Sequence, residues 1–520
     1  MISRDLFKNK SFEGRYVYSW ETPPEPIPED KIISAEEADV VVVGAGISGM
    51  CAAGRASQLG MSVIIIEKGS GPIARGAQMG ALDSRVMRAK GIHIDKKQFV
   101  REWIKISGNR CKEELVWTFA NRSGEMMDWL LSLGEGKGVG CEIYGGYYKG
   151  PVYTEYPGTH ILTREEDSPY KHSGAMLANE MFEEQIREHK NKMYFFTRAE
   201  QLEQKDRRVT GVIASSKDGY KRFKAKKGVI LATGDIGGDP EMLAAYAPLG
   251  LKPKMNWYIP PGMNTGDGHK MGYWAGGAFE DAPWPTMIHL LAYAFYCFFF
   301  LFVNSEGNRF MNEDNWVQAK AIKVLQQPGD ADYAYTIFDS KWIDEIEEKS
   351  PLGGGQFWEP LVTWYGKPWN RDNGIPETIE GYIEKGFCFR ADTLEELAAK
   401  LEVPYENLKR SVDRYNELYE MGDDADFGKR AELLTSISKP PYYGLKWGPA
   451  LLTVDGGLNI DTRMRVLDRE NKVIDGLYAV GNVSGGLYGV DYPVILNGNS
   501  NGRGMLWGYI AANDCAGLEK

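Results

Sequence analysis

Residues 39–67 read DVVVVGAGISGMCAAGRASQLGMSVIIIE. A β-rich run (Asp39 to Val43) leads into three glycines and an alanine-rich helical stretch. A second apolar run (Ser62 to Ile66) and an acid, Glu67, follow. That order is strand, turn, helix, strand in a parallel sheet. Gly44 suits the tight turn, Gly46 lets the backbone approach a pyrophosphate, and Gly49 lets the helix pack on the sheet. The helix start, with Ser48 in its first turn, offers unpaired N–H groups and the positive dipole end to a phosphate. Glu67 is placed to accept from a ribose diol. A glycine pattern alone is weak; strand, helix and acid at the expected distances make it specific.

Far along the chain, DGLYAVGNVSGGLYG (475–489) is another strand that ends in a glycine turn. The two segments together are what one bound FAD requires. Between them, KGVILAT (227–233) runs into ATGDIGGDP, and NTGDGHKMGYWAGG (264–277) starts a helix at a glycine turn. Residues 1–38 are polar, contain ETPPEPIPED, and read as an extended arm. Residues 39–281 read as the first part of a dinucleotide-binding domain, 282–435 as an inserted capping or substrate domain, and 436–520 as the second part. Within the insertion, 391–422 shows helical periodicity with good helix formers.

The bulk numbers narrow the partners. A chain of 520 residues suits two or three domains, and 43% hydrophobic content supplies a large core. The net charge of −11 argues against a nucleic-acid surface and against anionic lipid. Six scattered cysteines form no CxxC or CxxCH pattern, which predicts no metal site and free thiols in a reducing compartment. The start, MISRDLFKNKSFEGRY, has no apolar signal segment, so a cytoplasmic protein is expected. The run LLAYAFYCFFFLFV (290–303) is shorter than the roughly 20 residues a membrane span needs, and predicts a buried strand or pocket wall.

The order of motifs resembles the FAD-binding family of fumarate reductase and succinate dehydrogenase flavoproteins, which includes urocanate reductases and 3-ketosteroid dehydrogenases. The matches are VVVGAGISG with Glu67, RGAQMGAL (75–82), ATGDIGG (232–238), NTGDGHKMG (264–272), VNSEGNRFMNE (303–313), TVDGGLNID (453–461), DGLYAVGN (475–482) and LNGNSNG (496–502). The resemblance implies an α/β fold. A Rossmann-like FAD domain is built from two separated stretches, with an α+β cap inserted and the flavin at their interface. It places Ala77, Gln78 and Gly80 near the phosphates, ribityl chain or flavin ring. Arg198, Ala199, Thr233 and Gly234 fall by the adenine, and Lys68 and Asp267 are further expected cofactor-binding residues. Gly481, Asn482, Asn499 and Ser500 fall at the ribityl and pyrimidine end. Many relatives have Glu where Asn482 stands. Those that attach FAD covalently use a histidine near the 75–82 segment; none lies in 68–92, so non-covalent FAD is expected.

The resemblance also implies hydride transfer between flavin N5 and a carbon–carbon bond beside an electron-withdrawing group. Fumarate-type relatives use an arginine where Val317 stands, a histidine before the T-x-GG motif where this chain has ALLTVDGG, and an arginine after GGVHG where this chain has GGLYGVDYP. A dianion site is therefore not expected. Ketosteroid relatives place a tyrosine three residues after a glycine, as Gly489 and Tyr492 stand here, with a glycine N–H as second oxyanion donor; Gly498 is the nearest counterpart. Their second tyrosine, the base, is replaced by Val317.

The expected activity is reduction or introduction of a C=C bond conjugated to a carbonyl, in an apolar, cyclic or steroid-like ketone. Tyr492 and Gly498 are the expected catalytic pair, and Trp316, Tyr148 and Trp284 the expected substrate contacts. An enoate reductase, with Arg503 or another basic residue as carboxylate partner, is the alternative. A non-redox lyase or isomerase and an electron-transfer subunit are further ones. His289 and Tyr144, Tyr147, Tyr153 and Tyr156 are secondary acid candidates, for which core or loop packing is the simpler reading. With no second GxGxxG and no haem motif, a separate reductase, free reduced flavin or NADH is the expected electron source.

Overall fold

The computed structural model describes residues 18–295, 298–353 and 377–519. Its largest sheet follows from the apolar runs read above. Strand Ile32–Val43 lies parallel to Val63–Ile66 on one side and to Gly219–Leu231 on the other. Val473–Ala479 adds in parallel beyond Gly219–Leu231, and Lys192–Tyr194 beyond Val63–Ile66. Strands buried on both faces need no polar alternation, which is why VVVV and VIII are continuous apolar runs.

The register aligns the carboxyl ends. Val43 pairs with Ile66 and with Leu231, and Leu231 with Ala479. Four loops, beginning at Gly44, Glu67, Ala232 and Val480, therefore leave the sheet at one level. In an open α/β sheet that edge is where a ligand binds. The C-terminal helix Asn499–Cys515 packs on helix Ile47–Gln58, joining the two distant stretches.

A second sheet is built around one long strand. Tyr442–Val454 is its centre and pairs with Met255–Asn256, Thr286–Tyr293, Ala334–Asp339 and Cys388–Ala391; Leu301–Val303 adds to Ala334–Asp339. The expected boundaries at 281 and 436 both fall within the sequence span of this sheet, whose strands run from Met255–Asn256 to Tyr442–Val454. The apolar run 290–303 falls in the strands Thr286–Tyr293 and Leu301–Val303, with residues 296–297 outside the described residues.

Two further departures have local causes. The stretch 391–422 forms two helices, Leu394–Leu401 and Tyr405–Met421, because Glu402 is left-handed and Pro404 disfavours helix at Val403. The N-terminal stretch is less of an arm than its polarity predicts. Strand pairing begins at Ile32, and Trp20 is buried among Tyr246, Tyr273 and Phe279.

Candidate active site

A cavity of about 760 Å³ runs along the carboxyl edge of the large sheet and is also lined by strands of the second sheet. At one end stand the glycines of the first turn. Gly44 has φ +104°, and a Cβ there would lie 2.4 Å from the Ala232 carbonyl. At Gly49 it would lie 2.0 Å from the Gly44 carbonyl, so the helix can approach the turn only with glycine there. Gly46 differs: a Cβ would meet nothing within 4 Å, because the residue faces the cavity. Gly46 also caps helix Ile47–Gln58 without a side-chain bond, so the first N–H groups remain for a ligand.

Charges at this end are paired. Glu67 accepts from the N–H groups of Ala45 at 2.8 Å and Gly69 at 2.6 Å. Lys68 and Arg198 both reach Asp267, at 2.9 and 3.1 Å. Although burial opposes it, bonding to Arg198 and Lys68 holds the Asp267 carboxyl down at about 2. The Thr233 hydroxyl is buried with no partner among the described residues. An open glycine cradle, a free helix N-terminus and an unused hydroxyl along one cavity fit the diphosphate and adenosine of FAD.

The segment after Glu67 crosses to the C-terminal helix. Gly80 donates to the Gly498 carbonyl at 2.8 Å, and Asn501 donates to the carbonyls of Arg75 and Gln78 at 3.1 and 3.0 Å. Gly498 is left-handed at φ +74°, and a Cβ there would strike the Gln78 carbonyl group at 2.4 Å. Ala77, Gln78, Ala199, Gly234, Asn482, Gly498 and Ser500 line the cavity with the residues above. Gly49, Gly80, Gly481 and Asn499 stand behind the wall and shape it. A Cβ on Gly481 would meet Ser48 Oγ at 2.4 Å, and Asn499 donates to the carbonyls of Pro493 and Leu496.

The other end is built from two paired strands of the second sheet. Met287 pairs with Thr453 and His289 with Ala450, and the cavity wall takes Met287, His289, Leu291, Leu452 and Thr453 from these strands. Tyr492 closes it. The ring packs on Tyr488 at 5.4 Å and edge-on to His289 at 6.2 Å. Its hydroxyl oxygen accepts the Ser500 N–H at 3.2 Å, which leaves the hydroxyl proton to donate. Burial pushes this hydroxyl well above the ordinary tyrosine value, so it stays protonated. Burial also pulls His289 down to about 3, so the imidazole is neutral and not an acid at ordinary pH. Behind Tyr492, burial lifts Asp491 to about 6, although it accepts from the Tyr492 N–H at 2.8 Å and from the Gln318 amide.

Several expected residues are elsewhere. Trp284 stacks on Tyr246 at 4.2 Å and lies beside His269 and Phe279, in the core and off the cavity lining. Tyr148 stacks on Tyr153 at 4.1 Å, and Tyr153 packs on Trp316 at 5.1 Å; none of the three lines the cavity. Arg503 is sealed at 0% exposure, donating to Asp455 at 3.0 Å, Asn482 at 2.6 Å and the Gly481 carbonyl at 2.9 Å. It positions Asn482 and cannot reach a substrate. Arg75, Met287, Leu452, Thr453 and Asn497, which the sequence reading did not single out, line the cavity. The signal for Arg75 was a lone charge in the small-residue run GPIARGAQ.

Known proteins resemble this chain over most of its length. A probable fumarate reductase of Shewanella frigidimarina is 27% identical, with 94% of this chain and 77% of that protein covered. A vinyl phenol reductase of Lactiplantibacillus plantarum is 26% identical, covering 87% and 91%. A 3-oxosteroid 1-dehydrogenase of Mycolicibacterium smegmatis is 26% identical, covering 93% and 98%. The open conformation of a flavocytochrome c3 fumarate reductase superposes with a TM-score of 0.69 at 25% identity, covering 97% of this chain and 83% of that one. A 3-ketosteroid delta1-dehydrogenase from Sterolibacterium denitrificans shares the fold, with a TM-score of 0.70 at 22% identity over 93% and 100% of the two chains. Residues 39–500 match the family described as the FAD binding domain, so the chain belongs to that family and its cofactor is FAD.

Proposed function

We propose that the chain is an FAD-dependent oxidoreductase that reduces, or introduces, a C=C bond conjugated to a carbonyl. The carrying observation is Tyr492. A neutral hydroxyl on the cavity wall has its lone pair engaged by Ser500 N–H and keeps its proton for an acceptor in the cavity. A carbonyl oxygen there gains a donor in an apolar setting of Met287, Leu291, Phe295 and Leu452, where a hydrogen bond to developing negative charge is strongest. Bound FAD supplies or takes up the hydride. Electrons reach it from, or leave it to, a partner outside this chain. Fumarate and vinyl phenol, named for two relatives, each hold a C=C bond beside an unsaturated group, and dehydrogenation of a 3-oxosteroid makes one.

The cofactor contacts we propose rest on the residues that line the cavity. Glu67 and Asp267, with Lys68, Ala199, Thr233 and Gly234, hold the adenosine side. Gly44, Gly46 and Ser48 hold the diphosphate; Ala77, Gln78, Asn482, Gly498 and Ser500 hold the ribityl chain and ring. The test is anaerobic reoxidation of the dithionite-reduced protein by a panel of enones and enoates, followed at the flavin absorbance. Reoxidation by a conjugated alkene is the expected result. A reduced flavin that no alkene reoxidises overturns the proposal and raises a lyase or electron-transfer role.

A further inference from the structure

Behind Asn482 and Ser500, two residues of the cavity wall, lies a buried ion pair. Arg503 Nη2 meets Asp455 Oδ1 at 3.0 Å, and the same Oδ1 accepts from the Ser500 hydroxyl at 3.1 Å. The second oxygen, Oδ2, is buried with no partner among the described residues. Arg503 also gives Nη2 to Asn482 Oδ1 at 2.6 Å, and Nη1 to the carbonyls of Gly481 at 2.9 Å and Ser484 at 3.3 Å. These bonds have one possible direction. Arg503 has only N–H groups to offer, so Asn482 turns its oxygen to it and its amide nitrogen to Thr453, 2.6 Å away. The Thr453 hydroxyl gives its proton to Asp235. Ser500 has one hydroxyl proton, and Asp455 or Asn482, at 3.3 Å, takes it. Ser500 is left with a lone pair for a ligand, and Asn482 with one N–H.

Charged and titratable groups face Asp455 from each neighbouring element. Arg503 is its counter-ion. Asp235, beyond Thr453, adds a second negative charge, and Arg75 Nη2 stands 4.0 Å from Asp235. Burial raises the hydroxyls of Tyr488 and Tyr492, so both stay protonated. His269 meets the Gly456 carbonyl at 3.0 Å and is kept neutral by burial. Glu280, with Lys112 beyond it, accepts from the N–H groups of Gly457 at 3.1 Å and Gly486 at 2.9 Å, and burial lifts it to about 7. Neither of those glycines lines the cavity, whereas Ser500 does. Burial lifts Asp455 to about 6 against the pull of Arg503.

We propose that Asp455 is a positioning residue for the bound flavin: through Arg503 and Ser500 it orders the wall, and its free Oδ2 takes up one proton from solvent when two electrons enter the ring. This rests on Asn482 and Ser500 holding the ring end of FAD, as proposed above. Two electrons from the reductant outside this chain and one proton pass to the ring and leave one negative charge on it. A second proton passes to Oδ2. The Asp455–Arg503 pair, neutral before, then carries a single positive charge. A negative ring beside a neutral buried pair is an uncompensated charge in a dry site, and the second proton compensates it. Oδ2 is the place for that proton, because no donor has to be displaced.

The test is the midpoint potential of the FAD-loaded protein from pH 5 to pH 9, by mediated dithionite titration followed at the flavin absorbance. No alkene takes part, so the outcome is separate from the reoxidation test of the reaction. Each proton taken up per two electrons lowers the potential by about 30 mV per pH unit, the two-electron equivalent of a tenfold change. Above about pH 6 wild type should fall by about 60 mV per pH unit until Asp455 no longer protonates, and Asp455→Asn by about 30 mV. The two potentials should converge at pH 5, where both side chains are neutral. At pH 8 that of the variant should be higher by about 30 mV or more, tenfold in favour of reduction. Ser500→Ala removes a donor that favours the carboxylate, and should move the steep segment to higher pH. A steep segment that persists in Asp455→Asn belongs to the ring or to Glu280 and overturns the proposal, as does a wild-type slope of about 30 mV throughout. Should Asp455→Asn lose FAD, Asp455→Glu keeps the acid and is expected to show the steep segment at a shifted pH; an unshifted segment overturns the proposal. Loss of FAD from both makes Asp455 a structural support and overturns the proton role. A potential that changes in Ser500→Ala but not in Asp455→Asn overturns the inference alone. No change in either removes the ring from this wall and overturns the placement as well.

Discussion

At the adenosine end of the cavity each named charge has a partner. Asp267 lies between Lys68 and Arg198, and Glu67 takes two backbone N–H groups. At the opposite end the wall is Met287, Leu291, Leu452 and Phe295. The polar group that faces the space there, Tyr492, keeps its hydroxyl proton unused. The first end presents charges that are already paired, and the second presents a hydroxyl donor in an apolar wall; under the proposed function the first suits a resident cofactor and the second a substrate. Electrostatic stabilisation of a substrate's changing charge needs donors fixed beforehand in a dry site.

The sharpest way to break this contrast is at Gly46. A Cβ there points into open cavity, so Gly46→Val should fold, keep its far-ultraviolet spectrum, and lose FAD during purification. Gly49→Val is the counterpart, since its side chain would collide with the Gly44 carbonyl; it should lose both flavin and fold. Retention of FAD by Gly46→Val, measured as bound flavin per chain, would show that the diphosphate lies elsewhere.

Why the adenosine end was legible and the other was not follows from how each is made. Gly44, Gly46, Gly49 and Glu67 lie within one strand–turn–helix–strand unit, where backbone sterics dictate residue type at fixed spacing. The wall around Tyr492 is assembled from 287–295, 452–453 and 492–500, whose proximity is created by the pairing of Thr286–Tyr293 with Tyr442–Val454. No local pattern encodes that pairing. Aromatic character is equally silent on which rings reach this cavity. Trp284, Tyr148 and Trp316 have the residue type of a flat pocket, but ring stacking consumes them in clusters off the cavity. Arg503 had the right charge, yet Asp455 and Asn482 hold it inside the protein. Tyr492, picked by its spacing from Gly489, does line the cavity.

The next largest effect is expected at Tyr492. Tyr492→Phe keeps the ring that packs on Tyr488 and His289 and removes only the donor. Turnover in the flavin–substrate half-reaction should fall by roughly 10²–10³-fold, the usual cost of one oxyanion donor. FAD content and thermal stability should remain close to wild type, and reduction of the flavin by dithionite should be unaffected. Stopped-flow measurement of both half-reactions checks this. Equal slowing of the two would make Tyr492 a packing residue and erase the functional contrast between the ends.

The smallest effect concerns how the two ends answer pH. Asp267, held down at about 2, contributes stability above the unfolded carboxylate range, and that contribution is lost only as pH falls through about 2. Asp491 has the opposite sign. Burial raises it to about 6, with Gln318 and the Tyr492 N–H as acceptor-satisfying donors and no cation among its named partners. Its favourable contribution is present below the unfolded value near 3.8 and is lost as pH rises through about 6. Asp491→Asn keeps an oxygen for both donors and abolishes the titration. Relative to wild type, the variant should gain about 1–3 kcal/mol between pH 4 and pH 7.5, the upper bound being two pKa units. Urea unfolding of the FAD-loaded proteins at pH 4, 6 and 7.5 gives this difference directly. Any fixed penalty from the new amide N–H groups is the same at each pH and drops out, as does the titration of His289, which both proteins share. A stability difference that does not change with pH would mean that Asp491 is solvated as Asp267 is paired, and that the apolar end of the cavity places no electrostatic load on the residue behind Tyr492.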